Sequence, residues 1–271
     1  MKIAGIQFAC SSNKDKNVEN ALRTIDAAAS NGANIVCFQE LFNLPWFPRG
    51  RNEEAFGLAE DINGDTVRVV GEKAKSAGII VLLPIFERDG SQFYNSCVVI
   101  DEKGEPAGIY RKIHVPDIPL WEEKFYFVRG DKGLPVFETS QGRIGIQISW
   151  DNLYPEATRI LALKGADVVF APTACAFKSQ HLWQTVISAN AIANGVFVMR
   201  VNRVGSEEKQ DFYGASFCVN PEGELIGGPT GIADSVLLAD IDFEYLQHVR
   251  REWPLVKERR PEHYKEILMT R

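Results

Sequence analysis

The stretch "GRIGIQISWDNLYPE" (residues 142–156) decides the fold, because in it a strand turns directly into a helix. Three isoleucines alternate with a glycine and a glutamine from Ile144 to Ile148, which is the period of a β-strand. Pro155 follows, and proline favours the first turn of a helix. A residue at such a strand–helix corner often serves as a nucleophile. The stretch therefore predicts a strand–helix unit with Ser149 at its corner.

Strand and helix patterns alternate along the rest of the chain. Apolar residues recur at helical spacing in four segments, near 15–31, 65–77, 154–164 and 181–194. Apolar strand runs lie between them, and a hairpin and an irregular stretch over 113–134 interrupt the rhythm. Runs this continuous must be buried on both faces. We predict an α/β fold with four layers, α-β-β-α, in which two mixed sheets pack together and the helices lie outside.

Composition and charge exclude several classes of protein. The 271 residues show no linker and no change of composition, which favours a single domain over 1–271. A net charge of −6 and the lack of a basic run argue against nucleic acid as a partner. No apolar run reaches the roughly 18 residues of a membrane helix, and we expect a soluble, cytoplasmic protein with no membrane partner. Five scattered cysteines predict neither disulfides nor a zinc site.

Polar residues stand at three strand ends. Glu40 ends "VCFQE", Lys112 follows "IYR" and Ser149 ends "IQIS". Ligands of α/β sheets gather beyond the carboxyl ends of strands, so these three side chains could form a catalytic set. Taken singly, each could equally be a surface charge or a helix cap.

Activation of Ser149 is the chemical difficulty. A serine nucleophile usually needs a histidine held by a carboxylate, and none of the four histidines lies in a recognisable triad setting. A Ser–Lys pair with Lys112 is conceivable. A carboxylate base such as Glu40 suits a thiol far better, because the reference pKa of a thiol is about 8.5.

Several segments resemble the nitrilase (carbon–nitrogen hydrolase) superfamily in order and at the expected separations. They are "FQELF", "YRKIHVP", "WEEKFYFVRGD", "ISWDNLYPEATRILALKGADVVFAPT" and "NRVGSEEKQDFYGASF", and together they cover nearly the whole chain. The pieces "EKFYF" with "GD" and "NRVG" with "FYG" resemble especially the N-carbamoylputrescine amidase and ureidopropionase-like branches.

The resemblance implies a hydrolase of non-peptide C–N bonds that works through a thioester, without metal or cofactor. It implies Glu40 as general base, Lys112 as oxyanion stabiliser and Glu123 as the second glutamate. Ser149 stands where the family has its nucleophilic cysteine. Since the other expected residues are retained, we favour a Cys→Ser substitution of an active enzyme. A naturally inactive binding protein and a Ser–Lys hydrolase stay open.

Pocket candidates come from the remaining strand ends and nearby loops: Trp46, Trp150, Thr173, Ala174 and Asn202, with Phe42, Cys175 and Phe177 less secure. The D-amino-acid carbamoylases carry an arginine pair where this chain has Asn152 and Leu153, which argues against an α-carboxylate bound in that way. A small amide or N-carbamoyl compound is favoured over a nitrile. The resemblance also implies a homo-oligomer, a dimer or multiple of dimers, with the tail over about 250–271 at a subunit interface.

Overall fold

The computed structural model describes residues 1–176 and 179–269. Five helices are α1 (Lys14–Ser30), α2 (Asp65–Ala77), α3 (Pro155–Leu163), α4 (Gln180–Asn194) and α5 (Phe243–Glu252). The strands are β1 (Lys2–Gln7), β2 (Ile35–Phe38), β3 (Ile80–Asp89), β4 (Gln92–Ile100), β5 (Pro106–Arg111), β6 (Val136–Thr139), β7 (Gly142–Ile146), β8 (Val168–Thr173), β9 (Phe197–Asn202), β10 (Val204–Glu207), β11 (Gln210–Tyr213), β12 (Phe217–Val219) and β13 (Ser235–Asp240).

The strands form two large mixed sheets. The first has the order β13-β1-β2-β3-β4-β5, with β1, β2 and β3 parallel and the other neighbours antiparallel. The second has the order β12-β9-β8-β7-β6, with β7, β8 and β9 parallel. Strands β10 and β11 form a separate hairpin. The parallel strands of each sheet therefore end on one side, which is where Glu40 and Ser149 follow β2 and β7.

The main core lies between the two sheets. Ile35 and Leu82 of the first sheet belong to the same buried cluster as Ile146 and Phe170 of the second. A Cβ on Gly5 would lie 2.8 Å from Val201 Cγ2, so a side chain there would force the sheets apart.

The helices cover the two outer faces. Ile25 of α1 and Val70 of α2 pack on the first sheet with Val36 and Phe38. Leu161 of α3 and Ile187 of α4 lie against the second sheet. The predicted α-β-β-α sandwich of two mixed sheets is confirmed, because continuous apolar strands need cover on both faces.

Two local features shape the last part of the chain. In the segment "FYGASF", Gly214 (φ 62°) and Ala215 (φ 50°) turn the chain, and β11 and β12 lie in different sheets. After β13, Asp242 caps α5 by accepting from the backbone N–H groups of Glu244 and Tyr245. Within the described residues, no helix is both long and apolar enough to cross a membrane.

Candidate active site

Three charged side chains meet inside the protein. Lys112, directly after β5, donates from Nζ to Glu40 Oε1 at 2.8 Å and to Glu123 Oε2 at 2.6 Å. Glu40 lies two residues after β2, and Glu123 opens the short 3₁₀ turn Glu123–Phe125. All three are essentially inaccessible to solvent. One ammonium between two carboxylates makes a buried group with one surplus negative charge, and such a group holds a proton readily.

Asn95 orients the first carboxylate. Its Nδ2 donates to Glu40 Oε1 at 2.8 Å, and its backbone oxygen accepts from the N–H of Lys112 at 2.8 Å. The other oxygens of the two carboxylates, Glu40 Oε2 and Glu123 Oε1, are buried without a protein partner. These oxygens are therefore available to a substrate or a water molecule. The sequence analysis did not single out Asn95, although a polar residue inside the apolar strand "NSCVVI" was a signal.

Burial and the charges of this group together raise the pKa values of both Glu123 and Lys112. Burial raises the pKa of Glu123, the charge of Lys112 lowers it and that of Glu40 raises it, with a net rise to about 8. Burial by itself would lower the pKa of Lys112, but the charges of Glu123 and Glu40 outweigh it and raise that pKa. Lys112 therefore keeps its proton, while Glu123 is readily protonated near neutral pH.

Ser149 occupies a strained corner after β7. Its φ of 47° is in the left-handed region, which non-glycine residues seldom adopt, and its side chain is buried. Asn152 Nδ2 donates to the backbone oxygens of Ser149 at 2.9 Å and of Gln147 at 3.1 Å, which holds the corner in place. The predicted strand–helix corner is present, separated from α3 by the 3₁₀ turn Ser149–Leu153.

Asp151 ties this corner to the strand that carries Lys112. Its Oδ1 accepts from the backbone N–H of His114 at 2.9 Å and lies 2.8 Å from His114 Nδ1. Its Oδ2 accepts from Tyr110 Oη at 2.6 Å and from the backbone N–H of Ile148 at 3.0 Å. The structure makes Asp151 the buried link between β5 and the corner.

A third anchor fixes the turn that follows Glu40. Arg203 Nη2 donates to the backbone oxygens of Glu40, Leu41 and Leu44 at 2.8–3.0 Å. Leu41 has a φ of 51°, so this turn is also strained. Glu207 accepts from Arg203 Nη1 at 2.6 Å and neutralises the buried guanidinium. The sequence reasoning missed Arg203, since its partners lie about 160 positions away.

A cavity of about 480 Å³ opens at the corner. Its lining is mostly apolar and comprises Ile118, Pro119, Trp121, Ser149, Trp150, Leu153, Cys175, Ser179, Leu182 and Trp183. Ser149 Oγ lies 4.0 Å from Cys175 Sγ. Burial raises the pKa of the Cys175 thiol to about 11, the charge of Arg200 lowers it and that of Glu40 raises it. Cys175 is therefore close to Ser149 and also near enough to Glu40 for the charge of that carboxylate to raise the pKa of its thiol.

The predicted pocket residues differ in their positions. Trp150 and Cys175 line the cavity. Thr173 Oγ1 donates to Asn202 Oδ1 at 3.0 Å, and Asn202 Nδ2 donates to the oxygens of Cys175 and Gly214, so these polar groups already have protein partners. Contact of Thr173 and Asn202 with substrate stays a prediction.

Two of the remaining candidates, Trp46 and Ala174, lie in the aromatic cluster beside the cavity. Trp46 is buried and donates from Nε1 to the oxygen of Leu120 at 3.0 Å. Ala174 accepts from Trp121 Nε1 at 3.3 Å. Phe42 packs against Phe38 in the core under α1 and α2, and Phe177 lies outside the described residues. The sequence analysis missed Trp121 and Trp183, since aromatic residues alone do not distinguish a cavity wall from a core.

The fold and this arrangement define a class of protein. The chain matches the carbon-nitrogen hydrolase family over residues 2–251 and belongs to it. It is similar to N-carbamoylputrescine amidase of Solanum tuberosum, with 38% identity over 98% of this chain and 94% of that protein. It is also similar to a citrullinase of Francisella tularensis, with 36% identity over 99% of this chain and 98% of that protein. The crystal structure of a carbon-nitrogen hydrolase from Helicobacter pylori G27 superposes with a TM-score of 0.95 at 33% identity, covering 99% of this chain and 98% of the other.

Proposed function

We propose that this protein hydrolyses a non-peptide C–N bond of a small amide or N-carbamoyl compound through a thiol at position 149, and that Ser149 replaces that cysteine here. The observation that carries the proposal is the Lys112 ammonium held between Glu40 and Glu123. The charge of Glu40 raises the pKa of Cys175, whose sulfur lies 4.0 Å from the hydroxyl of Ser149 at the strained corner. The named activities of the two amidohydrolase relatives support the same reaction class.

The proposed chemistry has two halves. Glu40 takes the proton of the thiol as sulfur attacks the carbonyl carbon, and the C–N bond breaks when the leaving ammonia or amine takes that proton. Glu40 then removes a proton from water, the resulting hydroxide attacks the thioester, and the acid product leaves as the thiol is restored. In this mechanism the Glu40 Oε2 atom, which has no hydrogen-bond partner in the protein, accepts the proton in each half.

Lys112 and the backbone N–H of Trp150 serve as donors to the oxyanion in this mechanism. Lys112 keeps its charge because its carboxylate neighbours raise its pKa. Loss of one such donor typically costs about 3 kcal/mol in the barrier. The tetrahedral oxygen is therefore stabilised by a permanent cation and by the amide that follows the corner residue.

The serine hydroxyl is a poor substitute in this site. A Ser–Lys hydrolase needs a neutral lysine as base, whereas Lys112 donates to two carboxylates and its pKa is raised. A carboxylate such as Glu40 is too weak a base to activate an alcohol. We therefore propose that the serine form binds substrate and turns it over very slowly.

The test is Ser149→Cys, with ammonia release measured on a panel of amides, ureido acids and nitriles. We expect the rate on at least one amide or ureido compound to rise on the order of a hundredfold or more above the Ser149 protein. Ser149→Ala is the matched inactive control, and adding Glu40→Gln to Ser149→Cys should abolish the gain. A folded thiol variant that is inert on every compound contradicts the proposal. Activity on nitriles alone favours a nitrilase.

Ser149 itself supports a second candidate, a binding protein of the same fold without catalysis. Its cavity and charged group would hold an amide without cleaving it. An inert Ser149→Cys variant that binds panel members in calorimetry would favour this alternative. The codon at position 149 of the source gene separates it from an engineered substitution.

A further inference from the structure

Arg200 is a buried cation without an acidic partner. It lies in β9 and is 1% exposed. Its Nη2 donates to Tyr213 Oη at 2.8 Å, Nη1 reaches the oxygen of Ala215 at 3.5 Å, and Nε has no hydrogen-bond partner. In the described part of the chain, no carboxylate oxygen lies within 4.0 Å of its guanidinium. Burial of an uncompensated charge is costly, so this arrangement calls for a functional reason.

The other fully buried cations show the contrast. Arg111 pairs with Glu87, Asp89 and Asp131. Lys112 pairs with two glutamates, and Arg203 pairs with Glu207 in addition to three backbone oxygens. Arg200 alone of these four lacks an anion among the described residues.

The position of Arg200 relates it to the cavity. Met199 and Val201 point toward Gly5 of the first sheet, so alternation along β9 directs Arg200 to the opposite face, under α4. Its guanidinium lies 4.9 Å from the centre of the Trp183 ring, and its charge lowers the pKa of the Cys175 thiol. Trp183 and Cys175 both line the cavity. The charge therefore lies directly behind one wall of the cavity.

At this wall the charge of Glu40 opposes that of Arg200, but Arg200 has the larger effect on the pKa of the Cys175 thiol, so the net influence of the two charges there is positive. The pKa of Cys175 is raised to about 11 and that of Tyr213 to about 12, in both cases chiefly by burial, so both groups are neutral at physiological pH. The described residues that line the cavity include no aspartate or glutamate. Buried charges are little screened by salt, so the positive field extends into the cavity.

We infer that Arg200 determines substrate charge: the cavity selects amide or N-carbamoyl compounds whose tail ends in a carboxylate and rejects those whose tail ends in an ammonium. The inference rests on the proposed function, since it specifies the substrate class of the same site. A carboxylate in the cavity gains attraction to the guanidinium, whereas an ammonium is repelled and finds no aspartate or glutamate among the described residues of the cavity wall to offset this.

Binding to the Ser149 protein tests the inference without any turnover. Three N-carbamoyl compounds of similar length serve as probes in calorimetry: N-carbamoyl-γ-aminobutyrate with a carboxylate, N-carbamoylputrescine with an ammonium, and butylurea without charge. We expect the carboxylate compound to bind at least about tenfold more tightly than the ammonium compound. Equal binding of the two charged probes, or tighter binding of the ammonium probe, overturns the inference.

Variants then assign the preference to Arg200. In Arg200→Met the two charged probes should bind within about threefold of each other, while butylurea is unaffected. Arg200→Lys should keep the preference, and Arg68→Met, which removes an exposed charge on α2, is the matched control. A preference that survives in Arg200→Met overturns the assignment. Because Met removes an unpaired buried charge, we expect the variant to unfold at the same or a higher temperature, whereas a purely structural Arg200 predicts loss of stability with no change of preference.

Kinetics separate the two proposals. With Ser149→Cys, kcat/KM should rank the carboxylate probe above butylurea and butylurea above the ammonium probe. If none of the three releases ammonia, the proposed hydrolysis fails while the binding preference of the Ser149 protein still decides the role of Arg200. If butylurea is hydrolysed but the ammonium probe is the best substrate, the hydrolysis stands and the inference fails.

Discussion

The ammonium group of Lys112 donates hydrogen bonds to two buried carboxylates, Glu40 and Glu123, which come from separate parts of the chain. Each carboxylate keeps one oxygen on the ammonium and one oxygen without a protein partner. Glu40 is further oriented by Asn95, whereas Glu123 depends on Lys112 alone among the hydrogen bonds of its side chain in the described residues. The two glutamates therefore differ in their hydrogen bonds, and the pKa of Glu123 is raised chiefly by burial.

This pKa predicts how stability depends on pH. Between the ordinary value of 4.5 and about 8, folded Glu123 holds a proton that the unfolded chain has released. The contribution of Glu123 to stability therefore falls as the pH rises through this window. Urea unfolding at pH values from about 5 to 9 measures the slope, and Glu123→Gln should make it less negative.

Asp65→Asn is the control for this experiment, because Asp65 is an exposed carboxylate at the start of α2. The Asp65→Asn variant should show the same dependence of unfolding free energy on pH as the unchanged protein. If Glu123→Gln and the unchanged protein lose stability in parallel across the window, the raised pKa of Glu123 is not the cause.

At the level of secondary-structure elements, the corner between β7 and α3 is held in place by side-chain hydrogen bonds. Its backbone is strained at Ser149, and Asn152 and Asp151 hold it from both sides. Asn190 of α4 donates to the oxygen of Asn152 at 2.9 Å, so the corner is also fixed to the neighbouring helix. The strain is thus maintained by partners on other elements.

We predict that Asp151→Ala destabilises the protein by about 2–4 kcal/mol, because it leaves Tyr110 Oη and the N–H of Ile148 buried without an acceptor. Tyr110→Phe removes one of these hydrogen bonds together with its donor and should cost only about 1 kcal/mol. Chemical denaturation measures both. Equal losses in the two variants would show that Asp151 does not hold the corner as described.

In the molecule as a whole, exposed apolar residues concentrate near the end of the chain. Trp253 is 64% exposed, and Leu268 and Met269 are 85% and 73% exposed. These residues follow α5 and leave the sandwich without packing into its core. Exposed apolar groups of this kind often mark a contact with another protein, which is consistent with the subunit interface expected for the tail over about 250–271.

We predict that the protein forms a homo-oligomer, a dimer or multiple of dimers, through this tail. Trp253→Ser combined with Leu255→Ser should lower the mass measured by light scattering in solution. Ile232→Ser removes an apolar residue outside the tail that is even more exposed, at 76%, and should leave the mass unchanged. A monomeric unchanged protein, or an unchanged mass in the double variant, contradicts the prediction.

The sequence by itself determined the architecture and the three charged residues of the site. Alternation and helical spacing are local patterns, and they predicted helices α1 to α4 and the two-sheet sandwich. Glu40, Lys112 and Ser149 stood out because each interrupts or ends an apolar strand, and the motif resemblance added Glu123.

Only the tertiary structure decided which residues form hydrogen bonds and ion pairs with these site residues. Lys112 is 72 positions from Glu40, and Arg203 is 163 positions from the oxygen it holds at Glu40. The lack of an acidic partner for Arg200 among residues 1–176 and 179–269 likewise becomes evident only from its neighbours in space. The physical reason is that a buried polar group forms hydrogen bonds with the groups that the fold places within about 3 Å of it. Contacts between residues so far apart in the sequence produce no periodic pattern from which they could be predicted.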